Sequence, residues 1–302
     1  MSNQFTLNIS QINLDDYEIK QFIRRGGFSF VCKAIDKKTR KEVAIKPYIV
    51  EDKDLSFYIR GVNVSCSDIP CLVKTIGYRF PLTEEERQKS KYLKINVPGY
   101  DKPIDFTGFI VVMNYYKMND LSTIMNDYLK SNGSQHDLIN PTIRSKIIFG
   151  VSSIMKQFHA KNAIYRDLKI ENIFLNDELE PIIADFELSK FIIDPLVMTM
   201  AIGTPYIIAP EVYTDETYSY PADVFSYGFL LYRMFRTNIN FADKKPIRSV
   251  NRYMLKILNG DRPVRPENIP DHYWELIQRC WKEDPEERPT FEEITELLKK
   301  CT

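Results

Sequence analysis

Four polar residues near the middle of the chain have the types and the spacing that phosphoryl transfer requires. Asp167 is followed by Lys169 and Asn172, and Asp185 lies beyond two apolar runs. A carboxylate can accept a hydroxyl proton, an ammonium can neutralise a moving phosphate, and amide and carboxylate oxygens can hold a divalent metal ion. Alone, residues 165–172 would also suit an ordinary polar loop. The apolar runs 173–175 and 181–184 weaken that alternative, because they predict loop, strand, turn, strand and then a second metal-binding carboxylate.

The first part of the chain has the alternation of β-strands. Residues 17–23, 28–36 and 42–46 predict three strands in antiparallel succession, and residues 109–113 predict a buried strand. Residues 1–16 are polar and lack periodicity, which indicates a short N-terminal extension. Residues 82–103 are highly charged and predict an extended hairpin loop in solvent.

The second part of the chain has helical periodicity. Pro141 is at the predicted N-terminal end of one helix, and Pro289 begins the last one. The core-facing residues of the first helix recur at helical spacing and are Ile143, Ile147, Val151, Ile154, Met155 and Phe158. Those predicted for the last helix are Phe291, Ile294, Leu297 and Leu298. Strands followed by helices predict an α+β fold.

These elements, in this order, resemble eukaryotic protein kinases. The resemblance rests on six motifs: a glycine-containing turn at 26–27, Val-Ala-Ile-Lys at 43–46, the loop 165–172, Asp-Phe-Glu at 185–187, Gly-Thr to Ala-Pro-Glu at 203–211, and the segment 280–291. The resemblance covers residues 17–301 and favours the tyrosine-kinase-like group of serine/threonine kinases. It implies a bilobal fold with a five-stranded antiparallel sheet and one helix at about 17–114. A mainly helical C-lobe would occupy about 117–301.

The resemblance implies a role for each matching residue. Asp167 would be the catalytic base, Lys169 would contact the transferred phosphate, and Asn172 and Asp185 would hold Mg²⁺. Lys46 would hold the α- and β-phosphates of ATP. The other implied ATP-binding residues are Gly26, Val31, Ala44, the gatekeeper Met113, the hinge residues Tyr115 and Tyr116, and Phe174.

Further residues would have regulatory or structural roles. Arg166 is placed to pair with a phosphorylated residue of the activation segment, and Thr199 is the candidate phosphorylation site. Thr204 would help to position the substrate loop. Glu211 and Arg288 would form a buried ion pair. Asp223, at the start of a helix, would brace the catalytic loop.

Several departures from the kinase pattern support an alternative function. Arg24 and Ser29 occupy two of the three loop-glycine positions, and residues 55–67 contain no acidic partner for Lys46. Glu187 replaces a glycine. Tyr165 replaces a histidine, but either ring can pack against Phe186. The sequence therefore favours an active kinase, with a pseudokinase that acts as an ATP-binding or scaffolding module as the alternative.

Composition excludes several other classes. The chain has 302 residues with 41 basic and 41 acidic side chains, so no net charge favours nucleic acid or a membrane surface. No apolar run or N-terminal pattern indicates a membrane span or a signal peptide. The five cysteines and three histidines lack disulfide-scaffold or zinc-site spacing. A cytoplasmic protein with ATP, Mg²⁺ and a protein substrate as partners is expected; the oligomeric state is open.

Overall fold

The computed structural model describes most of the chain, as two compact units. The described residues are 9–26, 29–49, 61–79, 93–98, 100, 103–106, 109–130, 140–186, 188–191, 206–215, 218–236, 238–239, 241 and 249–300. One unit comprises Met1–Asp68 and Val73–Lys117, and the other comprises Ile69–Leu72 and Met118–Thr302. Within the described residues, no helix is long and apolar enough to cross a membrane.

The first unit is built on a six-stranded sheet. Its strands lie in the order β1, β5, β8, β4, β3, β2, where β1 is Ser10–Gln11, β2 Tyr17–Arg25, β3 Phe30–Asp36, β4 Glu42–Pro47, β5 Thr75–Arg79 and β8 Ile110–Asn114. The pairs β2–β3 and β3–β4 are antiparallel, which confirms the predicted succession of three strands. One face carries the buried residues Phe30, Cys32, Ala34, Val43, Ile45, Ile110 and Val112.

The predicted count of five strands is wrong, because the N-terminal segment supplies a sixth. Ser10 and Gln11 pair in parallel with Gly77 and Tyr78 of β5. The N–H of Ile12 continues the contact by donating to the carbonyl of Tyr78 at 2.9 Å. Gly77 permits this close approach, since an added Cβ would overlap Cγ2 of Ile12. A two-residue polar strand has too few residues to show alternation in the sequence.

The prediction that residues 82–103 form a hairpin loop in solvent is correct for the hairpin and wrong for its exposure. The strands β6 (Leu93–Ile95) and β7 (Ile104–Phe106) form an antiparallel hairpin, as expected. However, Ile95, Val97 and Phe106 are each 4% exposed and belong to the core cluster of the sheet. This end of the hairpin therefore covers the sheet instead of lying in solvent. Residues 82–92, 99 and 101–102 lie outside the described part of the chain.

Helical structure in the first unit is present at residues 61–65. Val62 and Val64 are buried, and the hydroxyl of Ser65 donates to the carbonyl of Val62 at 2.7 Å. The β-branched valines and Gly61 make this a weak helix former on its own, so burial of the valines is what stabilises it. The kinase resemblance implies a helix over residues 55–67, of which residues 55–60 lie outside the described part of the chain.

The second unit is mainly helical. Its helices are α1 (Leu121–Lys130), α2 (Pro141–Ala160), α3 (Pro210–Asp215), α4 (Tyr220–Arg233), α5 (Val250–Leu258), α6 (Asp271–Cys280) and α7 (Phe291–Lys299). Two short antiparallel strand pairs accompany them: β10 (Ile173–Leu175) with β11 (Pro181–Ile183), and β9 (Ala163–Ile164) with β12 (Lys190–Phe191). The mixture of a sheet-based unit and a helical unit confirms the predicted α+β class.

The helix predictions are confirmed with small changes. Pro141 follows the N-cap Asn140, whose side chain accepts from the N–H of Ile143 at 2.9 Å. The predicted stripe is buried from Ile147 onwards, whereas Ile143 is half-buried. In the last helix Thr290 is the N-cap, so Pro289 precedes it. Its buried predicted residues are Phe291, Ile294 and Leu298, and Leu297 is half-buried.

Candidate active site

The hairpin β10–β11 positions the two candidate metal ligands. Asn172 ends a single 3-10 turn just before β10, and Asp185 follows β11 after one residue. Strand register pairs Ile173 with Ile183, and the N–H of Ala184 donates to the carbonyl of Asn172 at 3.0 Å. Asn172 and Asp185 therefore lie at the same end of one hairpin.

The carboxylate of Asp167 is held by its two candidate partners. The ammonium of Lys169 donates to Oδ2 of Asp167 at 2.6 Å, and the amide nitrogen of Asn172 donates to the same oxygen at 2.9 Å. The Asn172 amide also donates to the backbone carbonyl of Asp167 at 3.0 Å. Asp167 is only 7% exposed, so these charge-assisted contacts are strong and fix the orientation of the carboxylate.

Side chains from distant parts of the second unit hold the loop backbone. Asp223, which is fully buried in the first turn of α4, accepts from the N–H groups of Tyr165 and Arg166 at 2.8 Å each. On the carbonyl side, Ser189 donates to Tyr165 at 3.2 Å and Tyr218 donates to Arg166 at 3.0 Å. The N-terminal end of a helix also favours a negative charge at Asp223. The loop is thus fixed independently of any ligand.

His159 is a third neighbour of the Asp223 carboxylate. Its Nε2 lies 3.0 Å from Oδ2 of Asp223, the oxygen that also accepts from Tyr165. The imidazole ring packs 4.6 Å from the ring of Tyr220 and 5.0 Å from that of Phe291. Helices α2, α4 and α7 therefore meet at the base of the loop.

Two of the site residues have left-handed backbone conformations. The φ angles of Arg166 and Asp185 are 73° and 63°. Each costs on the order of 1 kcal/mol for a residue with a Cβ, less for aspartate, and persists only where surrounding contacts determine it. The left-handed turn at Asp185 was not predicted from the sequence, which drew attention only to the glutamate in place of a glycine at position 187. Glu187 lies outside the described residues.

Aromatic rings support the loop from one side. The ring of Tyr165 lies 6.0 Å from Phe186 and 5.8 Å from Phe158, both in edge contacts. Its hydroxyl donates to the carbonyl of Ala184, next to Asp185. The expected packing of Tyr165 against Phe186 is present. In addition, the tyrosine hydroxyl joins the catalytic-loop candidate to the segment that carries Asp185.

In the first unit, most of the implied ATP-binding residues share one face of the sheet. Strand residues alternate between faces, so Val31, Ala44, Lys46 and Met113 lie opposite the core cluster of Cys32, Ile45 and Val112 described above. Ala44 is paired with Met113 in the register of β4 and β8. The sheet therefore brings these four together. Of the other implied residues, Gly26, Tyr115 and Tyr116 belong to the first unit, and Phe174 is in the second unit, on β10.

Lys46 is buried on that face. It is 6% exposed, and its ammonium lies 5.7 Å from the ring centroid of Tyr48. Tyr115 and Tyr116, the predicted hinge residues, are half-buried. The ammonium of Lys33 lies 4.9 Å from the Tyr115 ring.

Lys33 contacts the neighbouring strand as well as Tyr115. Its ammonium lies 2.6 Å from Oε1 of Glu42, and this bond raises the pKa of Lys33 and lowers that of Glu42. Sequence reasoning did not identify this pair, although both residues belong to adjacent, paired strands.

The glycine-containing turn is closed by a backbone hydrogen bond. The N–H of Gly26 donates to the carbonyl of Ser29 at 2.8 Å. That N–H is consequently engaged within the hairpin, and not directed at a phosphate. Ser29 is 6% exposed and bridges to Tyr48. Gly27 and Phe28 lie outside the described residues.

The structure brings Glu211 and Arg288 together. Two guanidinium nitrogens of Arg288 donate to the two carboxylate oxygens of Glu211, at 2.7 and 2.8 Å. The guanidinium also donates to the carbonyls of Lys282, Pro221 and Glu283 and lies 5.0 Å from the ring of Phe225. This bidentate arrangement joins α3 to the segment before α7.

Two of the regulatory predictions fall where no structure is described. Thr199 and Thr204 lie outside the described residues. Arg166 is 8% exposed, and its guanidinium carbon lies 5.2 Å from the ring of Tyr218.

Sequence reasoning missed Tyr218, Ser189 and His159, because their partners are at least 24 positions away and no local motif marks them.

The chain is similar to proteins that are named as kinases. The family model described as protein kinase domain matches residues 99–298. A Dictyostelium discoideum protein named as a probable serine/threonine-protein kinase is 30% identical over 318 residues, which cover 98% of this chain and 40% of that protein. The Arabidopsis thaliana serine/threonine-protein kinase STY17 is 33% identical over 153 residues, which cover 51% of this chain and 26% of STY17.

A Dictyostelium discoideum protein named as a probable LIM domain-containing serine/threonine-protein kinase gives a similar result. It is 30% identical over 183 residues, which cover 58% of this chain and 18% of that protein. The chain spans less than half the length of each of these relatives. The family model matches well over half of the chain, within the range where the catalytic-loop geometry lies. The chain belongs to the protein kinase family.

Proposed function

We propose that this protein transfers the terminal phosphate of ATP to serine or threonine hydroxyls of protein substrates, as a member of the tyrosine-kinase-like group. One observation carries the proposal: the Asp167 carboxylate is oriented by Lys169 and Asn172, at 2.6 and 2.9 Å, on a backbone that is fixed from outside the loop. This preorganisation is what phosphoryl transfer needs from a protein, since positioning and electrostatics supply most of its rate.

Each residue of the site has a distinct role in this proposal. Asp167 accepts the proton of the substrate hydroxyl as that oxygen attacks phosphorus. Lys169, which already contacts Asp167, neutralises negative charge on the transferred phosphate. Lys46 binds the α- and β-phosphates from the first unit. Val31, Ala44 and Met113, on the same sheet face as Lys46, contact the adenine.

The donor set suits Mg²⁺. Asn172 and Asp185 offer an amide oxygen and a carboxylate oxygen, the hard ligands that Mg²⁺ prefers. The amide nitrogen of Asn172 is directed at Asp167, so the amide oxygen is turned away from that residue. Both ligands would be supplied from the same end of the β10–β11 hairpin. When bound, the metal ion would neutralise phosphate charge, and this chain's residues would orient it.

A second function, a pseudokinase that binds or scaffolds, is supported by the glycine-containing turn. The engaged N–H of Gly26 offers less to a phosphate than an open glycine loop would. The absence of an acidic residue from 55–67 adds to this. Such a protein would bind ATP and transfer no phosphate.

One experiment separates the two functions. The purified chain is incubated with Mg²⁺, radiolabelled ATP and a mixture of serine- and threonine-containing peptides, beside the variant Asp167→Asn. We expect label transfer by the wild type and a loss of several orders of magnitude in the variant, because only the proton acceptor is removed. No transfer by either protein, together with a rise in thermal stability on adding Mg-ATP, would establish the pseudokinase. Equal transfer by both would remove Asp167 from its role.

Regulation by phosphorylation remains part of this proposal. Arg166 would pair with a phosphate on the activation segment, with Thr199 as the acceptor, and Thr204 would align the substrate. Mass spectrometry of an active preparation tests this directly. An active protein without phosphate on Thr199 would eliminate that residue as the switch.

A further inference from the structure

Tyr218 is a buried aromatic residue that contacts the catalytic loop in two ways. It lies between α3 and α4 and is 4% exposed. Its hydroxyl donates to the backbone carbonyl of Arg166 at 3.0 Å, and its ring lies 5.2 Å from the Arg166 guanidinium carbon. No sequence motif marked this residue. A single side chain therefore holds both the backbone and the side chain of the residue before Asp167.

The carbonyl that Tyr218 holds determines where Asp167 points. That carbonyl belongs to the peptide group between Arg166 and Asp167, and the group is planar. Its orientation is unusual, because Arg166 has a left-handed φ of 73°. Such a conformation is strained for a residue with a Cβ and persists only under external constraint.

Asp223 and Tyr218 supply that constraint from opposite sides of the same residue. Asp223 accepts from the N–H of Arg166 at 2.8 Å, and Tyr218 donates to its carbonyl. With only Asp223 in place, rotation about ψ of Arg166 would remain available. Tyr218 opposes that rotation, which would carry Asp167 away from Lys169 and Asn172.

The Tyr218 hydroxyl remains a donor under any ordinary assay condition. Burial is the largest cause that raises its pKa far above the usual value, and the nearby carboxylates of Asp223 and Asp167 raise it further. A hydroxyl that does not ionise keeps its proton for the Arg166 carbonyl.

We infer that Tyr218 is a positioning residue for phosphoryl transfer: it holds the Arg166–Asp167 peptide in the strained orientation that presents the Asp167 carboxylate. The inference rests on the proposed function for its effect on rate, but the positioning itself does not depend on catalysis. It predicts that the Tyr218 hydroxyl affects the chemical step much more than the binding of ATP, because Val31, Ala44, Lys46 and Met113, the proposed contacts of the adenine and the phosphates, belong to the first unit of the chain.

The test compares Tyr218→Phe with a matched control, Tyr227→Phe. Tyr227 is fully buried in the same unit, and its hydroxyl also donates to a backbone carbonyl, that of Ile148, at 2.9 Å. Each variant removes one buried hydroxyl that donates to a backbone carbonyl; the carbonyl of Ile148, inside α2, keeps its intrahelical bond in Tyr227→Phe. The thermal stability of both variants is measured as well, so that a difference in rate or in local exchange is compared with any difference in stability.

Two measurements are made on the wild type and both variants. The first is kcat and KM for Mg-ATP with the peptide mixture. We expect kcat to fall about tenfold in Tyr218→Phe, with KM within about twofold of wild type, and both constants to stay within about twofold in Tyr227→Phe. The second is hydrogen exchange of the peptide that spans residues 163–172, which we expect to be faster in Tyr218→Phe alone.

The exchange measurement distinguishes failure of this inference from failure of the proposed function. If the wild type transfers no phosphate but exchange increases only in Tyr218→Phe, the proposed function fails and the positioning role stands. If exchange at 163–172 is unchanged in Tyr218→Phe, or rises equally in Tyr227→Phe, the positioning role is refuted. An unchanged kcat in an active Tyr218→Phe variant would refute it as well.

Discussion

Replacing Asp223 by asparagine would test how much the catalytic loop depends on its buried support. Oδ1 of Asp223 accepts from the N–H of Arg166, and Oδ2 accepts from the N–H of Tyr165. Asparagine has the same shape but only one oxygen, and its amide nitrogen is a donor. Whichever way the amide is turned, a donor faces one of the two backbone N–H groups, and that group loses its acceptor.

The size of the effect follows from these contacts. A hydrogen bond to a charged group contributes about 1.5–3 kcal/mol, and a buried donor without a partner costs about 1–3 kcal/mol. The two overlap, so we expect the free energy of unfolding to fall by about 2–4 kcal/mol in Asp223→Asn. His159 offers little compensation, since its Nε2 contacts the same Oδ2 that serves Tyr165. If part of this energy holds Asp167 in place, kcat falls by about 10- to 100-fold.

Urea unfolding followed by circular dichroism measures the free energy of unfolding. Phosphate transfer at saturating Mg-ATP measures kcat. Asp36→Asn is the matched control. Oδ1 of Asp36 likewise accepts from two backbone N–H groups, those of Lys38 and Thr39, but on the surface of the first unit. There a single amide oxygen can keep both bonds, and solvent satisfies the rest. For Asp36→Asn we therefore expect a smaller change in the urea midpoint than for Asp223→Asn, and no change in kcat.

Two results would refute this reasoning. If Asp223→Asn lowered the unfolding free energy no more than Asp36→Asn does, the buried carboxylate would not be supporting the loop. If stability fell as expected and kcat stayed at the wild-type value, the loop would hold Asp167 without Asp223.

Three further predictions concern the sheet, the N-terminal segment and the last helix. Phe106→Ala should lower the free energy of unfolding by about 3–5 kcal/mol, measured in urea, because Phe106 is 4% exposed in the core cluster. Gly77→Val should speed hydrogen exchange at Ile12, since the new side chain would occupy the space of Ile12. The Thr290 N–H and hydroxyl lower the pKa of Glu293 below its ordinary value of 4.5. The stabilisation that Glu293 contributes is therefore full above its ordinary pKa and is lost as the pH falls through the lower folded pKa, so the thermal midpoints of wild type and Glu293→Gln should converge as the pH falls below that folded pKa.

Each of these has a clear contrary result. A Phe106→Ala variant as stable as wild type would mean that the hairpin lies in solvent, as the sequence alone suggested. Unchanged exchange at Ile12 would mean that β1 does not need the space left by Gly77. A constant difference in thermal midpoint between pH 3 and pH 7 would show that Glu293 does not act through its charge.

The sequence predicted best those parts of the site whose residues are close in the chain. Asp167, Lys169 and Asn172 lie within six positions, and their mutual contacts require only a local turn. The supports of that turn are different. Ser189 and Tyr218 act on single carbonyl groups from 24 and 52 positions away, and nothing in the surrounding sequence distinguishes them from ordinary buried residues.

The two errors about the sheet have a related cause. Periodicity is visible only when a strand is long enough to repeat. Ser10–Gln11 is shorter than one full repeat, and the buried residues of the 93–106 hairpin stand among lysines, prolines and other polar residues. The hairpin is buried because Ile95, Val97 and Phe106 cover the apolar face of β3, β4 and β8, whereas the exposed pair Ser10–Gln11 forms a strand through backbone bonds to the edge strand β5.

The short strand β1 also has a consequence for association between molecules. It covers one edge of the six-stranded sheet, where β5 would otherwise present unpaired N–H and C=O groups beside the 41% exposed side chain of Ile76. Open edges of this kind pair with other chains and lead to aggregation. Ser10 and Gln11 are polar and too short to extend the sheet further. Ser10 and Gln11 thus protect the edge of β5 against pairing with another molecule, and deleting them would expose that edge.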